Sequence, residues 1–191
     1  MASKPGERKL QILQTLAGML EKPSAEKITT AALAAKLDVS EAALYRHFAS
    51  KAQMYEGLIE FIEQTVFGLV NRIQVDEPDP MKQVEATVAT LLGFAQKNPG
   101  MTRVLTGDAL VNEDERLQVR VNQLLDRLEA SLRQSARLAV GAGTLPADWD
   151  VNAYANAVIA YVIGRWHQYA KSGFKRAPME GWPQQWRVFA A

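Results

Sequence analysis

Residues 28–51, ITTAALAAKLDVSEAALYRHFASK, hold two helix starts and a turn in one short stretch, which leaves room for little but a pair of short helices followed by a third. Thr29 or Thr30 can cap a helix whose apolar residues, Leu33 and Leu37, sit four apart. Asp38 and Val39 make the turn. Ser40 then caps a second helix over 41–47, with Val39, Leu44 and Phe48 turned inward. Two short helices joined by a few residues form a helix-turn-helix, whose second helix can lie in the major groove of DNA. Such a unit binds a nucleic-acid site and performs no chemistry.

With 191 residues the chain can bury a sizeable core, as one domain or as a small domain fused to a larger one. Its hydrophobic content of 48% and charged content of 23% fit a soluble globular protein. The absence of cysteine excludes a disulfide framework and a thiolate metal site, and suits a reducing cytoplasm. The start, MASKPGERK, is polar with no apolar run behind it to act as a signal peptide. The most apolar stretch, 151–163, is too short to span a bilayer and contains Asn152 and Asn156. Net charge of +1 divides unevenly: residues 1–51 hold eight Lys+Arg against five Asp+Glu, and the remainder hold fourteen against sixteen. The positive end coincides with the helix pair, as phosphate contact requires, and the modest surplus calls for two copies of the head.

The rest of the chain reads as helix throughout, with no strand pattern, repeat or low-complexity tract. A first helix is predicted over 7–21, with Leu10, Leu13, Leu16, Ala17 and Leu20 at helical spacing and a stop at Lys22-Pro23-Ser24-Ala25. After the two short helices a long one starts behind Ser50, its stripe formed by Tyr55, Leu58, Ile59, Ile62, Val66, Leu69, Val70 and Ile73. Asp76-Glu-Pro-Asp-Pro breaks the chain. Further helices follow over 81–97, 101–111, 113–139 and 150–171, and a last short one over 182–191. The expected architecture is all-α: a three-helix head over 1–50 and a helical body over 51–191.

Candidates for DNA contact are Thr29, Thr30, Ser40, Glu41, Ala42, Ala43, Tyr45, His47 and Lys51. The small Ala42 and Ala43 let the second helix approach base edges closely. Tyr45, His47 and the threonines offer donors to phosphates, which fix register. Lys51 opens the long helix, where free backbone N–H groups also favour an anion. In the body, Phe61 lies about 120° from the centre of its helix's apolar stripe, so it packs on another helix or stands out as an anchor. Thr90, Gly93 and Lys97 share the side of their helix opposite its stripe. A mid-helix glycine costs about 1 kcal/mol relative to alanine, so Gly93 marks a close approach, either by a partner's backbone or by one of the protein's own helices.

ITTAALAAKLDVSEAALYRHFASKAQM resembles the head of TetR-type regulators: a threonine-rich helix start, a small-residue turn, Leu-Tyr-x-His-Phe, and a serine-lysine start to the next helix. The resemblance implies an all-α homodimer whose first three helices bind DNA and whose remaining helices form a regulatory and dimerising body. SEAALYRHF, LIEFIE, LLGF with KNPGMTRVLTGDAL, and RLQVRVNQLLDRLEASLRQ are further similar to the nucleoid-occlusion branch of that family, up to about residue 138. For that branch the implied function is to bind chromosomal sites as a dimer, engage the tubulin-like GTPase FtsZ and stop a division ring forming over the nucleoid. Phe61, Gly93, Lys97 and Asn98 match the positions that the resemblance assigns to gripping the FtsZ tail. Lys97 replaces an arginine and so keeps the charge without the bidentate fork. Leu69 stands where the family has arginine and Thr90 where it has leucine; Arg72, one turn beyond Leu69, can substitute. The alternative is a TetR-type repressor released from its DNA by a small-molecule effector.

The helices over 113–139 and 150–171 suit a four-helix dimer interface, the second being apolar on most sides. Leu117, Val121, Leu124 and Leu128, with Tyr154, Val158, Tyr161, Val162 and Trp166, are the expected dimerisation residues, and Arg165 and His167 its rim. Two histidines 120 residues apart, no cysteine and no glycine-rich phosphate loop leave nothing for catalysis, a metal or a cofactor to use. The expected location is the cytoplasm, at the nucleoid.

Overall fold

The computed structural model describes residues 5–22 and 28–190, and every regular element among them is helical. The order is α1 (Pro5–Leu20), α2 (Thr30–Lys36), α3 (Glu41–Tyr45), α4 (Lys51–Asp76), α5 (Pro80–Lys97), α6 (Pro99–Leu105), a 3-10 turn (Asp108–Leu110), α7 (Glu115–Gly141), α8 (Val151–Lys171) and α9 (Trp182–Trp186). The expected stop at Pro23-Ser24-Ala25 lies outside the described residues. No helix among them is long and apolar enough to cross a membrane.

Local chemistry explains the boundaries. Thr29 and Ser40 sit in extended backbone and accept from the N–H groups of Ala32 (3.1 Å) and Ala43 (3.3 Å), so each caps a short helix. Between them Asp38 adopts φ 53°, the left-handed conformation that aspartate tolerates, which turns the chain sharply. Asp150 caps α8 by accepting from Asn152 and Ala153 N–H, both at 3.0 Å. The helix expected over 101–111 is broken in two, because Gly107 takes φ 79° and ends α6. The last helix is likewise shorter than expected, covering Trp182–Trp186.

Packing groups the described residues into two compact units that do not follow chain order. The first takes those of Met1–Ile62 with Asn98–Val121; the second takes Glu63–Lys97 with Asn122–Ala191. In the first, Leu13, Leu16, Leu20, Leu33, Leu44, Phe48 and Leu58 are buried. Here α1 and α6 pack closely enough that a Cβ added at Gly100 would lie 2.0 Å from the Ala17 carbonyl oxygen. Arg103 of α6 donates to the carbonyls of Leu20 (3.3 Å) and Lys22 (3.2 Å), satisfying the end of α1.

In the second unit α5 packs on α8. Trp166 Nε1 donates to the Leu91 carbonyl at 3.2 Å and Tyr169 Oη to that of Gln96 at 3.1 Å. The buried Gln83 donates to the Gln74 (3.3 Å) and Glu77 (2.7 Å) carbonyls and accepts from Ser135 Oγ at 3.0 Å, so a polar side chain in the core is fully engaged.

Two glycines should respond oppositely to the same change. Gly100→Ala forces a backbone shift and is expected to cost about 2 kcal/mol or more. Gly93, mid-helix with nothing within 4 Å of an added Cβ, should gain about 0.5–1 kcal/mol as alanine. Urea denaturation of both variants checks this; equal effects would contradict it.

Candidate nucleic-acid interface

On the head, Ser40, Glu41, Ala42 and Tyr45 are exposed and Ala43 and His47 are half-buried, while Leu44 and Phe48 point inward. Thr29 is exposed and Thr30 half-buried at the start of α2. The structure joins three of these candidates. Thr30 Oγ1 donates to Glu41 Oε2 at 2.5 Å, and Tyr45 Oη donates to Thr30 Oγ1 at 3.5 Å. One outer face thus carries hydroxyls, a carboxylate and small side chains around a short capped helix, which is the surface a major groove admits.

Lys51, the candidate at the start of the long helix, has a partner within the chain. Its Nζ is ion-paired with Glu113 and lies 5.6 Å from the centre of the Tyr55 ring. The pair is mostly buried, with side-chain exposures of 21% and 11%, so Lys51 holds the segment before α7 against the start of α4. Sequence inspection missed Glu113 because 62 residues separate the partners and no local pattern links them. Burial first, and the Glu113 carboxylate second, push the Tyr55 phenol up to about 12.

In the body unit, Leu69, Arg72 and Thr90 come together. They line one groove of about 300 Å³ between α4 and α5, with Ile73, Asp76, Glu77 and Ala86 completing it. Leu69 is 39% exposed, so it leaves the apolar stripe in which the periodicity put it and faces the groove instead. Thr90, Gly93 and Lys97 share one side of α5, with Lys97 exposed. Among the described residues nothing lies within 4 Å of a Cβ added at Gly93, so no helix of its own unit packs closely there. Phe61 and Asn98 belong to the other unit; both are half-buried.

Comparison with known proteins fits this geometry. The tetR family of bacterial regulatory proteins matches residues 12–58, and the family described as tetracyclin repressor-like, C-terminal domain (SlmA-like) matches 79–191. The nucleoid occlusion factor SlmA of Marinomonas sp. (strain MWYL1) is 51% identical over 191 residues, covering 100% of this chain and 96% of the relative. That of Alteromonas mediterranea is 50% identical, covering 98% and 96%. The chain belongs to the SlmA family of TetR-type regulators. Solved structures share the fold: a TetR transcription regulator from Haloarcula marismortui has a TM-score of 0.81 at 15% identity, covering 97% of both chains. The TetR family regulator PfmR from Thermus thermophilus has 0.76 at 22%, covering 94% of this chain and 97% of its own.

The residues that the sequence assigns to dimerisation lie mostly inside the single chain. Leu117, Val121, Leu124 and Leu128 on α7, and Val158, Val162 and Trp166 on α8, are 0–1% exposed in the single chain, and Tyr154 is 7% exposed. Tyr161 is hydrogen-bonded to Gln185 and packs against Trp182 and Phe189. All but the half-buried Tyr161 are covered within the single chain. Helical periodicity identifies an apolar stripe without saying whose atoms cover it. Arg165, expected at the rim, donates to the carbonyls of Ala177 (3.0 Å), Pro178 (3.2 Å) and Glu180 (2.8 Å) and so fixes that loop. What α7 and α8 leave open is a groove of about 410 Å³ lined by Asn122, Leu125, Asp126, Glu129, Asn156, Ile159, Ala160 and Ile163.

The raised phenol gives a pH test. A folded-state value above the unfolded one contributes stability that is whole below pH 10 and lost as pH rises toward 12. Phenolate absorbance should therefore include a step near pH 12 that disappears in Tyr55→Phe, and Glu113→Gln should bring that step down. An unchanged step in Glu113→Gln would rule out the electrostatic contribution.

Proposed function

We propose that the chain is a dimeric, sequence-specific DNA-binding protein of the nucleoid that, bound to chromosomal sites, antagonises FtsZ ring assembly and so blocks division over the chromosome. In this proposal residues 1–50 are the DNA-binding head and 51–191 the body for dimerisation and partner binding. The observation that carries it is similarity along the whole length, body included, to proteins named nucleoid occlusion factor SlmA.

The geometry supports each part. Thr29, Thr30, Ser40, Glu41, Ala42, Ala43, Tyr45 and His47 face the duplex. Lys51 contributes mainly by holding the start of α4 in place through its pair with Glu113, close to the incoming phosphates. Two heads meet a pseudo-palindromic site whose half-sites lie about 34–36 Å apart, one helical turn. Dimerisation uses the outer groove of α7 and α8 rather than their buried stripes. FtsZ docks on α4 and α5: Leu69, Arg72 and Thr90 line a groove in which Arg72 is the basic group beside Asp76 and Glu77, while Gly93 allows close approach and Lys97 adds a charge on the same helix; Phe61 and Asn98, in the other unit, are further candidates for contact with FtsZ. Arg72 takes over the cationic role where Leu69 has replaced the family's arginine.

FtsZ sedimentation and GTPase turnover, with and without a duplex that the protein selects, test the proposal. Inhibition should be much stronger with the duplex present, and Arg72→Ala should weaken it without changing DNA affinity. Unaltered polymers and turnover at saturating protein and DNA would refute the FtsZ role.

A further inference from the structure

The DNA-facing surface of the head carries a carboxylate where the phosphates of a duplex would select against one. Glu41 is the first residue of α3 and is exposed. No cation among the described residues pairs with it. Instead Thr30 Oγ1, from the start of the preceding helix, donates to Oε2 at 2.5 Å, and Tyr45 Oη, one turn further along α3, donates to Thr30. This relay holds the carboxylate on the outer face and leaves Oε1 with no partner among the described residues. The next two residues, Ala42 and Ala43, are too small to keep the helix away from base edges.

We infer that Glu41 reads a cytosine in the major groove, with Thr30 and Tyr45 as the residues that position it. The inference rests on the DNA-binding reading above and adds the base. An ionised carboxylate can only accept hydrogen bonds. Guanine offers two acceptors in the major groove, N7 and O6, and thymine offers O4 and a methyl group, so both are rejected. Adenine sets its N7 acceptor beside its amino group. Cytosine presents the N4 amino group alone, and it is the base a carboxylate satisfies. The repulsion from neighbouring phosphates, which weakens binding to every sequence alike, is offset only where that amino group is present. Glu41 therefore acts as a discriminator more than as a source of affinity, one per head, at symmetric positions of the two half-sites.

The test is selection of duplexes from a randomised pool by the purified full-length protein and by Glu41→Gln, followed by affinities for the winning duplex with each half-site base changed symmetrically. The wild-type protein should require cytosine at one half-site position, with a loss of about tenfold when it is replaced. Glutamine pairs with adenine through N6 and N7, so Glu41→Gln should move that one position from cytosine toward adenine and leave the others unchanged. Thr30→Val should keep the cytosine but shrink the ratio, as expected of a positioning residue. Glu41 is exposed, so its substitution leaves the fold intact. If the wild-type protein selects no sequence at all, the DNA-binding reading falls too. If it selects a sequence and Glu41→Gln alters no position, only the assignment to Glu41 is overturned.

Discussion

A five-residue helix cannot hold itself together in water, so α3 exists only through the side chains that it and the next residues bury. Leu44 is 1% exposed and Phe48 7%. Phe48 lies against Gly57 of α4 and Leu13 of α1 reaches the same spot: a Cβ added at Gly57 would sit 3.1 Å from the Phe48 ring and 3.4 Å from Leu13. Lys9 Nζ lies 5.5 Å from the centre of the same ring. Glycine at 57 is thus the space that lets an aromatic anchor α3 between α1 and α4. The outward face of α3 is free to be polar and small because the inward face supplies the packing.

The body follows the same rule on a larger scale. Each long helix buries one stripe, and the polar groups drawn in with it find backbone partners: Trp166 on Leu91, Tyr169 on Gln96, Gln83 on Gln74 and Glu77. These bonds tie helix faces to particular carbonyls and so set which residues remain outside. The α4–α5 groove is one outcome. Val70 and Val88 are fully buried, whereas Leu69 is exposed and lines the groove together with Thr90.

Much of this was legible in the sequence. The caps at Thr29 and Ser40, the turn at Asp38 and the apolar stripes of α4, α5 and α7 are local chemistry, and apart from the exposed Leu69 they stand close to where spacing puts them. The site was legible in part. Leu69, Arg72 and Thr90 were named separately, from three positions on two helices, and only packing shows that they line one groove. Two things escaped because sequence spacing carries no record of distant contacts. Lys51 meets Glu113 from far along the chain, and Thr30 meets Glu41 across a turn. A third escaped because periodicity is blind to ownership: only the fold shows that Leu124, Leu128 and Val162 are fully covered within the single chain.

The central claim is that the outer face of α2 and α3 is what a duplex covers. Hydroxyl-radical footprinting of the side chains, on the free protein and on its complex with a selected duplex, measures this directly. Protection concentrated at Tyr45 and His47, with Tyr161 and Trp186 unaffected, is the result this account predicts. Unchanged oxidation of Tyr45 in a saturated complex would contradict it.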